Sequence, residues 1–375
     1  MPGHGVARAL MRDSEQETST TVVDFLPELE PDPKTSARIV RSKAPVRISF
    51  AGGGTDFPHW FERRAGAVLC ATICNYARVT VYPRPDKAVR IRSVDLGYMA
   101  NYSLEEEPVY DGMLDLAKAA IRRLGCSMGF DLDVRCDAPP GSGLGGSSAL
   151  VSAIIGALAA YQNLVLDPYE LAELNYAIER RDLGIAGGMQ DQYATTFGGF
   201  NLIEFSKSGV LVNPLRLDEG LLADLEAHLM LCYVGNVHAH TGLIDRQIRY
   251  YHEKRAATLE GMDRIHSLVY DMKRALLKGN LAGFGELLHE GFVNKKRMNP
   301  GITEGTIADP LYEEARKHGA IGGKLMGAGG GGYLLLYCET HRQHEVRKAL
   351  ERRGGVVTNC ALEPKGLQVW RTRSL

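Results

Sequence analysis

The stretch DAPPGSGLGGSSALVSAII, residues 137–155, carries the strongest signal in the sequence, because a glycine-rich loop runs directly into an apolar segment. From Ser147 to Leu164 the residues are apolar nearly all round, which predicts a buried helix. The backbone N–H groups of such a loop, with the positive end of the helix dipole, form a cradle for an anion. The alternative is a core helix whose first turn is capped by a serine side chain.

The loop differs from two common nucleotide-binding motifs. No Gly-Lys-Ser/Thr follows its glycines, so it is not a Walker A loop. It also does not stand in the βαβ context of a dinucleotide-binding GxGxxG motif, with an acidic residue near twenty positions on, and this disfavours a dehydrogenase. A phosphate-binding role therefore has to be argued from the rest of the chain.

Two more glycine-rich segments lie on either side of this loop. PVRISFAGGGTD, residues 45–56, follows a strand-like run, and its glycines permit positive φ angles and close approach of a ligand. A tight turn capped by aspartate explains this segment equally well. GGKLMGAGGGGYLLLY, residues 322–337, places four consecutive glycines before a strand. That segment is either a close crossing of two backbones or a wall of the same cleft.

Composition limits the classes of function. A chain of 375 residues is long enough for two domains that share a cleft. Its formal net charge of −1 gives no general attraction to nucleic acid or to an anionic membrane, so an anionic ligand needs a local site. Seven scattered cysteines without a CxxC pair indicate neither a zinc site nor a redox motif. No apolar run approaches the length of a membrane span and no signal peptide is evident, so we expect a cytoplasmic protein.

The order of predicted elements favours an α+β fold. Residues 1–40 are polar and are expected to be a flexible tail, with a short apolar patch near residues 22–26. Strand-like runs then mix with helical ones, such as residues 115–124 and a helix that starts at Asp167 or Pro168. A doubly wound sheet is disfavoured, because strands and helices do not alternate regularly.

The three glycine segments, in this order and spacing, resemble those of the GHMP kinases. The resemblance runs from about Lys43 to the C-terminus, with PPGSGLGGSSA similar to the family's phosphate loop and GAGGGG to its last glycine motif. It implies a two-domain fold with the active site in the cleft between the domains. A ribosomal-protein-S5-like N-terminal domain is expected over residues 41–210 and a ferredoxin-like C-terminal domain over residues 211–375.

Finer features look like the heptose 7-phosphate kinases, namely AGGGTD, GGMQDQYATTFGGFNLIEF, LLHEGFVNKKRM and AIGGKLMGAGGGGYLLLY. This implies ATP-dependent phosphorylation of the anomeric hydroxyl of a heptose 7-phosphate, on the route to nucleotide-activated heptose. In galactokinases Glu-His stands where this chain has Gly53-Gly54, so a larger sugar pocket is expected. The alternatives are a fucose- or galactose-type sugar kinase and a catalytically idle sensor of sugar and ATP.

The resemblance also implies roles for individual residues. Asp191 matches the family's catalytic base, and Arg47 matches a basic residue that would hold this carboxylate ionised and offset phosphoryl charge. Mg²⁺ would be bound by Ser147 and by Glu179. The alternative for Glu179 is an exposed ion pair with an arginine, without a role in metal binding. The residues expected to bind ATP are Pro140, Gly141, Ser142, Gly143, Leu144, Gly145, Gly146, Ser147, Ser148, Gly329 and Gly330. Those expected to bind the sugar phosphate are Gly53, Gly54, Thr55, Asp56, Gly188, Lys295, Lys296 and Arg297.

Within that last group, Lys295, Lys296 and Arg297 are the densest basic cluster and the candidates to clamp the 7-phosphate. Three consecutive helical residues cannot all face one ligand, so one or two of them would suffice. A solvated helix end is an equally good explanation for any one of them.

Overall fold

The structure, a computed structural model, describes residues 20–22, 39–236 and 242–372. None of the helices in this part of the chain is long and apolar enough to cross a membrane. The described strands are β1 Thr20–Val22, β2 Ile39–Ala51, β3 Gly66–Pro83, β4 Ala88–Ser93, β5 Tyr98–Ser103, β6 Phe130–Cys136, β7 Phe200–Ser206, β8 Gly209–Pro214, β9 Leu229–Asn236, β10 Ala320–Leu325, β11 Gly331–Cys338, β12 Val356–Asn359 and β13 Gln368–Thr372. The described α-helices are α1 Pro58–Arg64, α2 Asp115–Leu124, α3 Gly146–Gln162, α4 Pro168–Tyr176, α5 Gln190–Phe197, α6 Glu219–His228, α7 Leu243–His252, α8 Ala256–Leu277, α9 Leu281–Met298, α10 Ala308–Lys317 and α11 Gln343–Glu351.

The larger sheet is built around the long antiparallel pair β2 and β3. Its strand order is β1-β5-β4-β6-β3-β2-β13, and the hairpin β7-β8 pairs with the first part of β3. The helix α3 packs on β2 and β3. Its middle residues are apolar on every side because they are buried on every side, as the sequence predicted. This packing fixes the first turn of α3, and with it the glycine-rich loop, against the end of β2.

The smaller sheet is antiparallel in the order β10-β11-β9-β12. The helix α9 packs on β10 and on α8. The loop after β10 crosses the glycine-rich loop that precedes α3, since a Cβ on Gly143 would lie 2.8 Å from the carbonyl of Met326. The two sheets thus meet along a cleft whose walls come from both halves of the chain.

Two chain segments depart from the expected organisation. Thr20–Val22, inside the range expected to be a flexible tail, pairs antiparallel with β5 at one edge of the larger sheet. The rest of residues 1–38 lies outside the described residues. Gln368–Thr372 pairs with β2, so the last strand completes the larger sheet although it follows the proposed boundary at residue 211. Both strands join through backbone pairing with distant residues, which a local sequence pattern does not record.

Two glycines in α9 should respond in opposite ways to alanine. A Cβ on Gly285 would lie 2.5 Å from Cδ1 of Tyr337, whereas a Cβ on Gly291 would meet nothing closer than 3.8 Å. We expect Gly285→Ala to lower the free energy of unfolding by about 1–3 kcal/mol through overpacking. Gly291→Ala should raise it by up to ~1 kcal/mol, because alanine is the better helix former. Urea denaturation measures both, and equal effects of the two substitutions would contradict the packing described here.

Candidate active site

The cleft has a volume of about 710 Å³. It is lined by the turn after β2, the loop before α3, the segment leading into α5, and residues of α7, α9 and β10. The predicted residues that line it are Arg47, Gly53, Gly54, Asp56, Pro140, Gly141, Ser142, Gly143, Gly145, Gly146, Ser147, Ser148, Glu179, Gly188, Asp191 and Lys295. The predicted residues that do not line it are Thr55, Leu144, Lys296, Arg297, Gly329 and Gly330.

Arg47 and Asp191 form an ion pair in the lining of the cleft. Nε of Arg47 donates to Oδ1 of Asp191 at 2.7 Å, and a second guanidinium nitrogen lies 2.6 Å from the same oxygen. Arg47 is 3% exposed on β2 and also donates to the carbonyl of Gly143. Its backbone N–H donates to the carbonyl of Leu144 at 2.8 Å, which gives Leu144 a structural contact behind the cleft. The guanidinium therefore holds the carboxylate beside the glycine-rich loop.

The first turn of α3 lines the cleft at the end of the glycine-rich loop. The residue before the helix is Gly145, in a left-handed conformation, and no side chain caps the first turn. This excludes the alternative of a serine cap. A Cβ at position 145 would lie 3.3 Å from Oδ2 of Asp191, so the glycine also lets the loop approach the ion pair. A helix N-terminus of this kind, open toward a cleft, is suited to bind phosphate.

Glu179 lies in a short π-helical segment, Ala177–Asp182, that follows α4. It is 1% exposed, and its Oε2 accepts hydrogen bonds from Oγ of Ser148 at 2.7 Å and from Nε2 of Gln192. Burial raises the pKa of this carboxyl, and nearby Arg180 lowers it. The alternative considered from the sequence, that Glu179 forms an exposed salt bridge, is therefore wrong. A buried carboxylate bonded to the first turn of α3 and lining the cleft fits the oxygen ligands that Mg²⁺ prefers.

Asp56 is held inside the protein by two neighbouring turns. Its Oδ1 accepts from the N–H of Gly54 at 2.9 Å, and its Oδ2 accepts from the backbone and side-chain nitrogens of Gln190 at 3.1 Å each. Burial raises the pKa of this carboxyl. A Cβ on Gly188 would lie 2.0 Å from Oδ2, so only glycine fits there without displacing the carboxylate. Thr55 is fully buried and bonds the carbonyls of Gly52 and Ala67, which stabilises the turn from behind.

The three consecutive basic residues of α9 point in different directions. Lys295 is buried in the cleft wall, where its Nζ donates to the carbonyls of Leu325 and Gly327. Lys296 forms an ion pair with Asp309 at 3.1 Å, and exposed Arg297 lies 3.4 Å from Glu260. Because successive helical residues are rotated by about 100°, only the first of the three lines the cleft. The expectation that Lys296 and Arg297 line the substrate site is corrected accordingly.

The last glycine motif contacts the cleft through fewer residues than expected. Gly327 and Ala328 line the cleft, whereas the N–H of Gly330 donates to the carbonyl of Ile302 at 2.7 Å. A Cβ on Gly329 would lie 2.7 Å from Cβ of Ile302. The two glycines predicted to bind ATP therefore pack against the neighbouring 3₁₀ turn. This segment combines the two interpretations offered from sequence, a close crossing of backbones and a wall of the cleft.

Lys324 is a cleft residue that sequence reasoning missed. It lies on β10, is 7% exposed, and donates from Nζ to the carbonyl of Ser49 at 2.8 Å. Among the described residues, neither Lys324 nor Lys295 has a carboxylate within ion-pair distance. Buried ammonium groups are normally paired, and burial lowers the pKa of both lysines, so an anion bound in the cleft would stabilise their charged form. The signal available in the sequence was a charged residue inside the third glycine motif.

The stability of the protein should depend on pH through Lys324. Burial, together with Arg47, lowers the pKa of this ammonium to about 7, whereas an unfolded lysine keeps its proton up to about pH 10.4. Between these values the unfolded chain binds more protons, so the contribution of Lys324 to stability rises with pH. When the pH is raised from about 7 to about 9, we expect the melting temperature of Lys324→Met to rise less than that of the wild type. Exposed Lys207→Met serves as the control, and equal pH slopes in all three proteins would contradict this assignment.

Comparisons with known proteins fit this arrangement. Residues 113–199 match the model of the GHMP kinases N terminal domain, and residues 272–356 match that of the GHMP kinases C terminal. A Campylobacter jejuni protein named D-glycero-alpha-D-manno-heptose 7-phosphate kinase is 34% identical over 346 residues, which is 89% of this chain and 99% of that protein. The chain belongs to the GHMP kinase family.

Solved structures of GHMP kinases share its fold. A D-glycero-D-manno-heptose 1-phosphate kinase from Bacteroides thetaiotaomicron is 33% identical, with a TM-score of 0.74 over 89% of this chain and all of that one. A Lactococcus lactis galactokinase in complex with galactose is 22% identical and has the same fold, with a TM-score of 0.74 over 89% of this chain and 95% of its own. The α+β GHMP kinase fold predicted from the sequence is confirmed, and this GHMP kinase is a sugar kinase.

Proposed function

We propose that this sugar kinase transfers the γ-phosphoryl group of ATP to the anomeric hydroxyl of a heptose 7-phosphate, forming a 1,7-bisphosphate for nucleotide-activated heptose synthesis. The observation that carries the proposal is the Arg47–Asp191 ion pair, which contacts the glycine-rich loop and lines the same cleft as the buried carboxylate of Asp56. Phosphoryl transfer requires an aligned hydroxyl, a proton acceptor and cations more than covalent chemistry by the protein. One cleft contains candidates for all three.

Each residue has a defined task in this scheme. The sugar oxygen attacks the γ-phosphorus, the bond from phosphorus to the β–γ bridging oxygen breaks, and ADP leaves. Asp191 accepts the hydroxyl proton, and Arg47 offsets charge on the moving phosphoryl group. Asp56 orients the sugar at the turn after β2. A proton acceptor already bonded to a buried guanidinium is positioned before the substrate arrives.

Lys295 and Lys324 form the basic wall that we propose for phosphate. They replace the wider cluster expected from sequence, because Lys296 and Arg297 already have carboxylate partners outside the cleft. The relatives' names put the acceptor's phosphate at different positions, position 7 in one and position 1 in the other. Transfer to the anomeric hydroxyl needs that hydroxyl free, so we propose the 7-phosphate as acceptor.

The nucleotide would lie along the phosphate loop. We propose that Ser147 and Glu179 hold Mg²⁺, which would neutralise the ATP phosphates. Beyond the loop the cleft becomes apolar, and this end is suited to a flat base. Its apolar lining residues include Leu96, Met113, Leu114, Leu116, Val134, Leu150 and Leu183. Dependence on ATP and seven free cysteines support a cytoplasmic location.

A substrate panel tests the proposed function. ADP release would be measured with Mg-ATP and D-glycero-D-manno-heptose 7-phosphate, unphosphorylated heptose, mannose 6-phosphate, galactose or fucose. We expect the highest kcat/KM with the heptose 7-phosphate and little turnover of unphosphorylated heptose. Phosphorus NMR of the product should show a new anomeric phosphate. A free sugar as the best substrate would overturn the heptose phosphate assignment, and ATP binding without any turnover would favour the sensor.

A further inference from the structure

The Gly53-Gly54 turn does not simply enlarge the sugar pocket. Gly54 has a φ of +104°, and a Cβ there would lie 2.8 Å from Nε2 of Gln247 and 3.4 Å from Sδ of Met298. A Cβ on Gly53 would meet nothing closer than 3.6 Å, at Nε2 of Gln190. The volume freed at Gly54 is thus taken by the side chain of Gln247, which reaches in from α7, while the volume at Gly53 stays open.

Three polar atoms around this turn are buried without a hydrogen-bond partner among the described residues. They are Oγ of Ser49, Oε1 of Gln190 and Nε2 of Gln247. All three residues line the cleft, and Ser49 and Gln247 are only 5% and 8% exposed. Burying an unpaired polar atom costs free energy, so a native structure normally leaves one only where something else supplies the partner.

The chemistry of these atoms indicates the partner. An amide N–H donates, an amide carbonyl accepts, and a serine hydroxyl does both. A set of neutral donors and acceptors matches sugar hydroxyls, which also do both. A phosphate group, which only accepts at neutral pH, is better served by the amino groups of Lys295 and Lys324. Oγ of Ser49 and the amide of Gln190 lie beside the open side of Gly53, and Nε2 of Gln247 lies beside Gly54.

We propose that Gln247 is a specificity-determining residue that donates from Nε2 to a hydroxyl of the sugar acceptor lying over Gly53 and Gly54. Ser49 and Gln190 complete the same hydroxyl-binding wall. The proposal rests on the function proposed above, because it assumes a sugar acceptor in this part of the cleft. It adds a contact from α7 beside the Gly54 turn that holds Asp56, so that the acceptor is recognised from both halves of the chain.

The test compares Gln247→Met with the wild type. Methionine keeps the volume and removes both N–H donors, so the KM for the best acceptor of the panel should rise about 10-fold. The KM for ATP should stay within about twofold, and the melting temperature without ligand should not fall, because removal of an unpaired buried donor relieves a cost. Arg249→Met, an exposed position of the same helix, should leave all three quantities unchanged.

Monodeoxy versions of the acceptor identify the contact. The wild type should discriminate against one of them by about 10-fold, and Gln247→Met should bind that analogue and the parent sugar equally. An unchanged acceptor KM in a folded Gln247→Met protein would overturn the proposal, as would equal losses on every deoxy analogue. Should the methionine variant not fold, Gln247→Glu provides the same comparison, since its carboxylate cannot donate.

The experiment separates this proposal from the proposed function. If the best acceptor is a sugar other than heptose 7-phosphate, the proposed function fails, and the role of Gln247 is still tested with that sugar. If no sugar is phosphorylated, calorimetric binding of the panel to the wild type and to Gln247→Met replaces kinetics. A sugar that binds more weakly to the variant than to the wild type supports the role of Gln247. Absence of sugar binding to the wild type overturns both this role and the proposed function.

Discussion

Replacing Asp191 with Asn is expected to lower kcat by about 10³-fold and to leave the affinity for ATP within about twofold. The amide keeps the shape of the side chain but cannot accept the proton of the sugar hydroxyl. Its NH₂ group would also face the guanidinium of Arg47, to which Asp191 is bonded at 2.7 Å. Steady-state kinetics with saturating acceptor, and calorimetry with a non-hydrolysable ATP analogue, measure the two quantities separately.

Asp263→Asn is the matched control for this variant. Asp263 forms an exposed ion pair with Arg64 on the surface, and its loss should change neither kcat nor ATP binding. If Asp191→Asn retained more than about a tenth of wild-type kcat, Asp191 would not be the proton acceptor. Loss of ATP binding in parallel with kcat would instead indicate a damaged phosphate loop.

Replacing Arg47 with Met should lower kcat by about 10²–10³-fold, because a donor to the developing phosphoryl charge is lost. The buried guanidinium also connects Asp191 to the carbonyl of Gly143, so the melting temperature should fall. Arg47→Lys should recover part of kcat, since lysine keeps the charge but lacks the planar fork. An unchanged kcat in folded Arg47→Met would show that the ion pair is only structural.

The two variants together separate positioning from general destabilisation. Arg47 and Asp191 share one pair of contacts, so the double variant should be little slower than the Asp191→Asn variant alone. Independent roles would give losses that multiply. The double variant of Lys324→Met and Asp191→Asn is the comparison. Its losses should multiply, because Lys324 bonds the carbonyl of Ser49 and does not contact Asp191.

The parts of the site that could be predicted from the sequence are those whose residues form contiguous motifs. The glycine-rich loop before α3, the Gly53-Gly54 turn and Asp191 each stand in a short, characteristic run, and all line the cleft. Roles carried by geometry could not be predicted in this way. Lys296 points away from the cleft, because packing against the neighbouring elements decides which face of α9 lines it.

Burial was the other quantity that the local pattern did not contain. For Glu179 an exposed ion pair was the alternative to metal binding, yet this carboxylate is buried in a π-helical segment beside Ser148. Gln247 carries no motif at all, and its relevance follows only from its unpaired amide nitrogen beside Gly54. Such features depend on which distant elements cover a side chain, so they emerge only once the sheets and helices have been assembled.

The pairing of β13 with β2 has a consequence for biosynthesis. A ribosome makes β2 among the first described strands and β13 as the last, so the edge of β2 has no partner while the intervening chain is being translated. An unpaired edge strand can pair with another chain. The nascent protein therefore completes its larger sheet only after β13 has left the exit tunnel, and chaperones that shield strand edges should raise its yield.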